Sequence, residues 1–377
     1  MKKDEILSAF QEVIEGPRNV YLDEWVKAGG KVMGYYCSYI PEEIFTAAGF
    51  LPYRIRGAGS EDSSDGDAYM SARVCTFVRH TISLALRGEF DFLDGVVLLQ
   101  NCDHIRRAGD LFVKKVKLPF YSMLSVPRAP KERLFTWYLD ELKRLKAEIE
   151  AHFGLAITEE KLEGAITLHN ATRERIRSLY DMRKKGAPPI TGEEALTITI
   201  AAHLMPRDQF NTLMDDLLAD LTKAEGARGY RARVIITGSE LDNPEYIAGI
   251  EQQGALSVAE VVCFGQRSFG ESIESGVDDP LNRIARHKFF QVPCARMVEC
   301  FDDQVAALKD TVREFNADGI IFQRMKFCDP WAGDGHNLYW RMKKEGIPFL
   351  GLEREYQVPA SGQVKTRVQA FLEQMGK

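Results

Sequence analysis

Apolar runs of five or six residues, closed by glycine or a polar step, alternate with helically spaced segments at both ends of the chain. Lys31 to Tyr36, Leu51 to Ile55, Gly95 to Gln100 and Leu118 to Leu124 read as strands. Unbroken Val, Ile and Leu in runs of that length suit a parallel sheet covered on both faces. Between them the spacing predicts helices over 41–48, 69–86 and 104–115, which makes a small β-α-β-α-β unit. Pro41 is expected in the first turn of its helix, with Glu42 and Glu43 behind it and Gly49 as the stop. Two amphipathic helices, 3–15 and 18–28, form an N-terminal arm.

From Lys131 to Lys223 the strand signal fades. Leu134, Leu139, Leu142, Leu145 and Ile149 recur at helical spacing, and Thr191-Gly-Glu-Glu194 has the spacing of a capping box. A helical insert of about four helices is expected there. Alternation then resumes, with strands over 234–237, 256–263, 319–324 and 347–352 and helices over 243–252, 279–287, 302–314, 335–344 and 361–375. A glycine-rich loop covers 265–276.

The two alternating parts follow one plan. Lys31-Val-Met-Gly-Tyr-Tyr, a helix, Gly49 and a strand match Arg233-Val-Ile-Ile-Thr-Gly, a helix, Gly254 and a strand. Cys102-Asp103, a basic helix and Leu118-Pro-Phe120 match Cys328-Asp329, a basic helix and Ile347-Pro-Phe349. The expected fold is α/β, with two Rossmann- or flavodoxin-like parallel sheets facing a cleft. The expected divisions are an N-terminal arm 1–30, a first unit 31–130, the insert 131–230 and a second unit 231–377. Open α/β sheets bind ligands beyond the carboxyl ends of their strands, so Cys102 and Cys328 would meet in that cleft.

Composition narrows the classes. A net charge of −6 with both signs mixed, and no basic block, argues against a nucleic-acid surface. The longest apolar runs are strand-sized, and the charged N-terminus lacks a signal-peptide core, so a cytoplasmic protein without a membrane span is expected. The seven cysteines (37, 75, 102, 263, 294, 300, 328) are scattered, with no Cys-x-x-Cys. That pattern excludes a zinc ribbon or a thioredoxin motif. Gly-x-Gly-x-x-Gly, Walker and Gly-x-Ser-x-Gly sequences are also absent, which removes support for an NAD or ATP site and for a serine hydrolase.

The chemistry therefore rests on thiols. Cys102 and Cys328 sit at equivalent corners of the two units and Cys75 opens the helix before the Cys102 strand; a helix N-terminus favours the thiolate that binds metal. Three such residues in one cleft suit an iron–sulfur cluster with an open iron, or a zinc with an open fourth position; three unrelated core cysteines give the same spacing. Glu42 and Glu43 fit either a charged helix start or a carboxylate turned into the cleft as acid/base or substrate anchor. His104 and His336 read as solvated helix residues. Arg106-Arg107 and Gly362 to Arg367 fit either a phosphate contact or an exposed helix face.

Several stretches in order resemble the small catalytic subunits of benzoyl-CoA reductase and the 2-hydroxyacyl-CoA dehydratases, the 2-hydroxyglutaryl-CoA dehydratase D-component family. They are Tyr39-Ile-Pro-Glu-Glu-Ile-Phe-Thr-Ala-Ala-Gly49, Val74-Cys-Thr76, Cys102-Asp-x-x-Arg106, Cys263-x-x-x-Arg267-Ser-Phe, Lys326-Phe-Cys-Asp-Pro330 and Gly362-Gln-x-x-Thr-x-Val-x-Ala-Phe. The resemblance spans nearly the whole chain. It implies a [4Fe-4S] cluster on Cys75, Cys102 and Cys328 with one non-cysteine site, Cys37 as a bystander and Cys263 as a structural residue. It implies radical chemistry on an acyl-CoA substrate, through a ketyl-type radical anion. A related catalytic subunit would complete a heterodimer, and ATP-hydrolysing iron–sulfur activator subunits would deliver the electron. Leu99-Gln-Asn-Cys-Asp-His-Ile-Arg-Arg107 and Leu352-Glu-Arg-Glu-Tyr356 look more like the reductase branch. The dehydratases and homodimeric proteins with a double-cubane [8Fe-9S] cluster are the alternatives, and a cluster-free α/β binding subunit is the non-enzyme one.

Overall fold

Each set of strands closes into its own parallel sheet of four. The computed structural model describes residues 2–276, 278–357 and 362–377, so position 361 of the expected last helix lies outside it. The first part runs α1 (Lys3–Ile14), α2 (Val20–Lys27), β1 (Lys31–Tyr35), α3 (Glu42–Ala47), β2 (Phe50–Arg54), α4 (Ser64–Asp67), α5 (Thr76–Leu86), β3 (Gly95–Leu99), α6 (Asp103–Leu111) and β4 (Phe120–Leu124). Four helices follow: α7 (Glu132–Phe153), α8 (Glu159–Arg183), α9 (Gly192–Ala201) and α10 (Arg207–Leu221). The last part runs β5 (Ala232–Gly238), α11 (Pro244–Glu251), β6 (Ala255–Val261), α12 (Pro280–Phe289), α13 (Phe301–Glu314), β7 (Gly319–Met325), α14 (Asp329–Lys344), β8 (Phe349–Arg354) and α15 (Gly362–Gln374).

The sheets share one topology. Their strand orders are β2-β1-β3-β4 and β6-β5-β7-β8, with every pairing parallel. The repeat extends to single hydrogen bonds. Asp94 Oδ2 accepts from the Val32 amide and Asp318 Oδ2 from the Arg233 amide, both at 2.8 Å, each tying the start of a third strand to the first. Gly49 and Gly254, the matched stops before β2 and β6, both take positive φ (85° and 95°), which a side chain resists. At Gly238, the last residue of β5, a Cβ would stand 1.9 Å from the Gln323 carbonyl oxygen, so the position has no room for a side chain.

The structure differs from the sequence reading at helix starts. Pro41 is the N-cap of α3, one position before its first turn. The helix expected from 69 begins at Thr76, because residues 66–74 turn back on themselves through bonds such as Met70 N to Gly66 O (3.0 Å) and Val74 N to Ser71 O (2.9 Å). α4 forms between β2 and α5, where Asp62 Oδ1 accepts from the Ser64 amide at 2.8 Å. α6 passes into a π turn over Phe112–Val116 and stops at Lys117, at φ 61°. β6 stops at Val261, two residues short of Cys263. α14 starts six residues before the expected 335, with Pro330 in its first turn, where the missing N–H costs nothing.

Buried ion pairs join the helices between the sheets to both of them. Arg183 at the end of α8 grips Glu260 of β6 in a bidentate pair, both bonds 2.6 Å, while Tyr180 adds a third bond at 2.9 Å. Arg173, ten residues earlier on α8, pairs with Glu43 of α3. α9 carries the predicted capping box, Thr191 with Glu194. Its start is also held by Glu251, which accepts from Gly192 N (2.7 Å) and from Ser257 N (3.1 Å).

Burial pushes the Glu251 carboxyl up to about 7. An acid whose folded value is raised binds its proton more tightly when folded, so its protonated form stabilises the fold at low pH. That contribution fades as pH climbs from the free-glutamate range through 7. The expected swing is on the order of 3 kcal/mol. Thermal unfolding of Glu251→Gln between pH 5 and 8 should show a flatter stability profile than the parent; identical slopes would contradict this.

Candidate functional site

Cys75, Cys102 and Cys328 are the N-cap residues of α5, α6 and α14. Cys102 follows β3 and Cys328 follows β7, the equivalent third strands of the two sheets. All three line one cavity at those strand ends, beside the apolar side chains of Phe77, Val78, Ile105 and Trp331. None is in a disulfide. Burial pushes Cys75 up to about 12, and it raises Cys102 and Cys328 too. No thiol reaches hydrogen-bond distance of its own first turn, yet nearby amides (Phe77 and Val78 for Cys75, Ile105 and His104 for Cys102, Trp331 for Cys328) draw each back downward. The helix starts thus oppose burial without overcoming it. The free thiols stay protonated, and a metal must displace those protons to bind.

His104 ties the three corners together, where the sequence suggested a solvated residue. Its Nδ1 accepts from the Cys75 amide at 3.3 Å. Its Nε2 lies 3.5 Å from Asp329 Oδ2. An accepting Nδ1 places the proton on Nε2, facing the carboxylate. One ring from the Cys102 helix therefore touches the residues that carry Cys75 and follow Cys328. Behind Cys75, Thr76 Oγ1 donates to Met325 Sδ (3.2 Å) and accepts from the Tyr356 amide (3.0 Å), which fixes α5 against β7 and β8.

The cavity also holds groups that the sequence left aside. Cys37 after β1, Cys263 after β6 and Cys294 line it, so six of the seven cysteines share one space. Arg54, Arg267 and Arg296 line it as well, with Glu240 as the carboxylate among the described lining residues. Arg54 is wholly buried and donates to Cys263 O (2.7 Å), Ser268 Oγ (3.1 Å) and Glu240 Oε1 (3.0 Å). Arg267 donates to Cys263 Sγ. Of these arginines only Arg267, four residues after Cys263 in the Cys-x-x-x-Arg motif, had a sequence signal.

Glu42 and Glu43 are buried but do not line the cavity. Glu42 pairs with Arg207 and lies 3.4 Å from His203 Nδ1. Against the upward push of burial, Lys288 and Arg173 hold Glu43 well below the carboxylate range. These positions knit α3 to α8 and α10. His336 stays exposed beside Trp340, whose Nε1 donates to it at 3.1 Å. Arg106 and Arg107 lie on an exposed helix face, near Asp103 (3.5 Å) and Asp110 (3.2 Å).

Among the described residues no three His, Cys, Asp or Glu side chains crowd round one point as ligands to a single ion do. Thiolates on a polynuclear cluster each meet a different iron and stand farther apart. Three cysteine thiols lining one cavity are the soft donor type that such clusters take. Among the described residues no helix is long and apolar enough to cross a membrane.

Residues 37–375 match the family described as 2-hydroxyglutaryl-CoA dehydratase, D-component. The chain is 26% identical to the (R)-phenyllactyl-CoA dehydratase beta subunit of Clostridium sporogenes, over 98% of each chain. It is 27% identical to a benzoyl-CoA reductase subunit of Thauera aromatica, over 88% of this chain and 87% of that one. It is 24% identical to the beta subunit of (R)-2-hydroxyglutaryl-CoA dehydratase of Acidaminococcus fermentans, over 98% of this chain and 99% of that one.

The ion pairs of α3 make a stability prediction. Glu43→Gln leaves Arg173 and Lys288 without their carboxylate and should lower the unfolding free energy by about 3–5 kcal/mol, measured by urea denaturation. A variant as stable as the parent would make Glu43 a functional candidate again.

Proposed function

Because the chain belongs to the 2-hydroxyglutaryl-CoA dehydratase D-component family, we propose that it is an iron–sulfur catalytic subunit acting on an acyl-CoA thioester. Cys75, Cys102 and Cys328 hold a [4Fe-4S] cluster with one iron free of cysteine. The observation that carries this reading is the meeting of three sequence-remote thiols, each at a helix start, in one cavity. When bound, the cluster supplies single low-potential electrons to the thioester. A related subunit completes the catalytic pair, and an ATP-hydrolysing iron–sulfur activator supplies the electron.

The chain's own residues prepare the site. Phe77, Val78, Ile105 and Trp331 keep water away from the thiols, as a strong reductant requires. His104 holds the Cys75 amide and faces Asp329, so the three helix starts keep one spacing. Buried amides beside sulfur, together with burial itself, are the protein's means of tuning such a centre.

We place the reaction on the benzoyl-CoA reductase branch, with ring reduction of a benzoyl-type thioester. The support is the Leu99 to Arg107 stretch, which carries Cys102 and His104 at the cavity. Elimination from a 2-hydroxyacyl-CoA is the second reading, favoured by two dehydratase subunits that align over almost their full length. A double-cubane [8Fe-9S] centre is the second reading of the cofactor, favoured by the six cysteines around one cavity.

Anaerobically isolated protein should be brown and contain about four irons per chain. Cys75→Ser, Cys102→Ser and Cys328→Ser should each lower the iron content, while Cys37→Ser, Cys263→Ser and Cys294→Ser should not. Loss in all six variants would establish the larger centre; a colourless protein with seven titratable thiols would overturn the cluster reading. With partner subunit and activator present, benzoyl-CoA turnover without 2-hydroxyacyl-CoA turnover supports the reductase branch, and the reverse pattern the dehydratases.

A further inference from the structure

The charges around the cavity do not balance. Arg54, Arg267 and Arg296 line it, against the single carboxylate of Glu240 among the described lining residues. Arg54 takes that carboxylate at 3.0 Å. Among the described residues the Arg267 guanidinium donates to a sulfur, Cys263 Sγ, and makes no direct ion pair. Arg296 donates to the carbonyls of Pro127 (3.0 Å), Val126 and Gln100 (3.4 Å), and its guanidinium lies 5.6 Å from the Tyr39 ring centre. These contacts are with neutral groups. The Nε atoms of Arg54 and Arg296 are buried without a hydrogen-bond partner. Phe264 lies under Arg54, 4.1 Å from its guanidinium, so water has little access there.

Unpaired guanidiniums in a dry space are expensive unless an anion joins them. The same space holds the thiols of Cys37, Cys263 and Cys294 beside these arginines, as well as the three N-cap thiols. We propose that Arg54, Arg267 and Arg296 form a cationic wall that holds the negative charge of an iron–sulfur centre in this cavity and sets its reduction potential. The proposal rests on the cluster reading above. It gives the Cys263-x-x-x-Arg267 motif a purpose: a turn over Gln266–Phe269 folds the guanidinium back onto the sulfur. The arginines are positioning residues. Each electron gained adds one negative charge to the centre, and nearby fixed positive charge favours the reduced form.

The test uses the anaerobic full-length chain, with Arg267→Met and Arg296→Met beside Arg267→Lys and Arg296→Lys. Iron content is measured first, then the midpoint potential by dye-mediated titration followed in the visible spectrum. The expected result is a lower midpoint in both methionine variants and a return toward the parent value in the lysine variants. Iron lost from the methionine variants but kept by the lysine ones also supports the wall. Unchanged midpoints at full iron content, or equal losses in methionine and lysine variants, overturn it and leave the cluster reading standing. A parent protein that binds no iron removes both.

Discussion

Helix α8 is fastened to both sheets, and the cavity depends on that fastening. Arg173 reaches Glu43 beside the first sheet, and Arg183 grips Glu260 within the second. All four side chains are almost wholly buried. Buried pairs of this kind add little net stability, because desolvation offsets their attraction; losing one partner, however, strands a charge and costs several kcal/mol. The pairs therefore act as locks on position. They tie one helix to both sheets, whose strand ends supply different cysteines to one cavity.

The thiols show how local and global forces compete. A helix start lowers a thiol's proton affinity, and burial raises it more. The sequence suggested only the first effect. With both, the metal-free cysteines are neutral core residues, and they become thiolates only when something cationic takes the place of their protons. The guanidinium groups that line the same cavity favour the negative charge of thiolates over neutral thiols.

Much of the architecture was legible because parallel strands covered on both faces leave unbroken apolar runs. The doubled plan was legible too, and the shared strand order and the Asp94 and Asp318 bonds bear it out. The helix starts at Cys75 and Cys328 were harder to place, because cysteine is not a usual capping residue and because Gly333 and Gly335 hide the first turns of α14. The rest of the site was illegible for a geometric reason. Arg54 meets Cys263 O across 209 positions and His104 meets Cys75 across 29, contacts that no spacing rule records. Glu42 and Glu43, whose pattern fitted either a charged helix start or a carboxylate in the cleft, are buried in ion pairs with Arg207 and Arg173 that lie far away in sequence.

An iron–sulfur centre among the helix-start cysteines is tested most directly by anomalous diffraction at the iron edge from anaerobically grown crystals. Strong iron peaks are expected within bonding distance of Cys75, Cys102 and Cys328 Sγ. A well-ordered cavity with no iron peak, or iron bound elsewhere in the chain, would contradict such a centre.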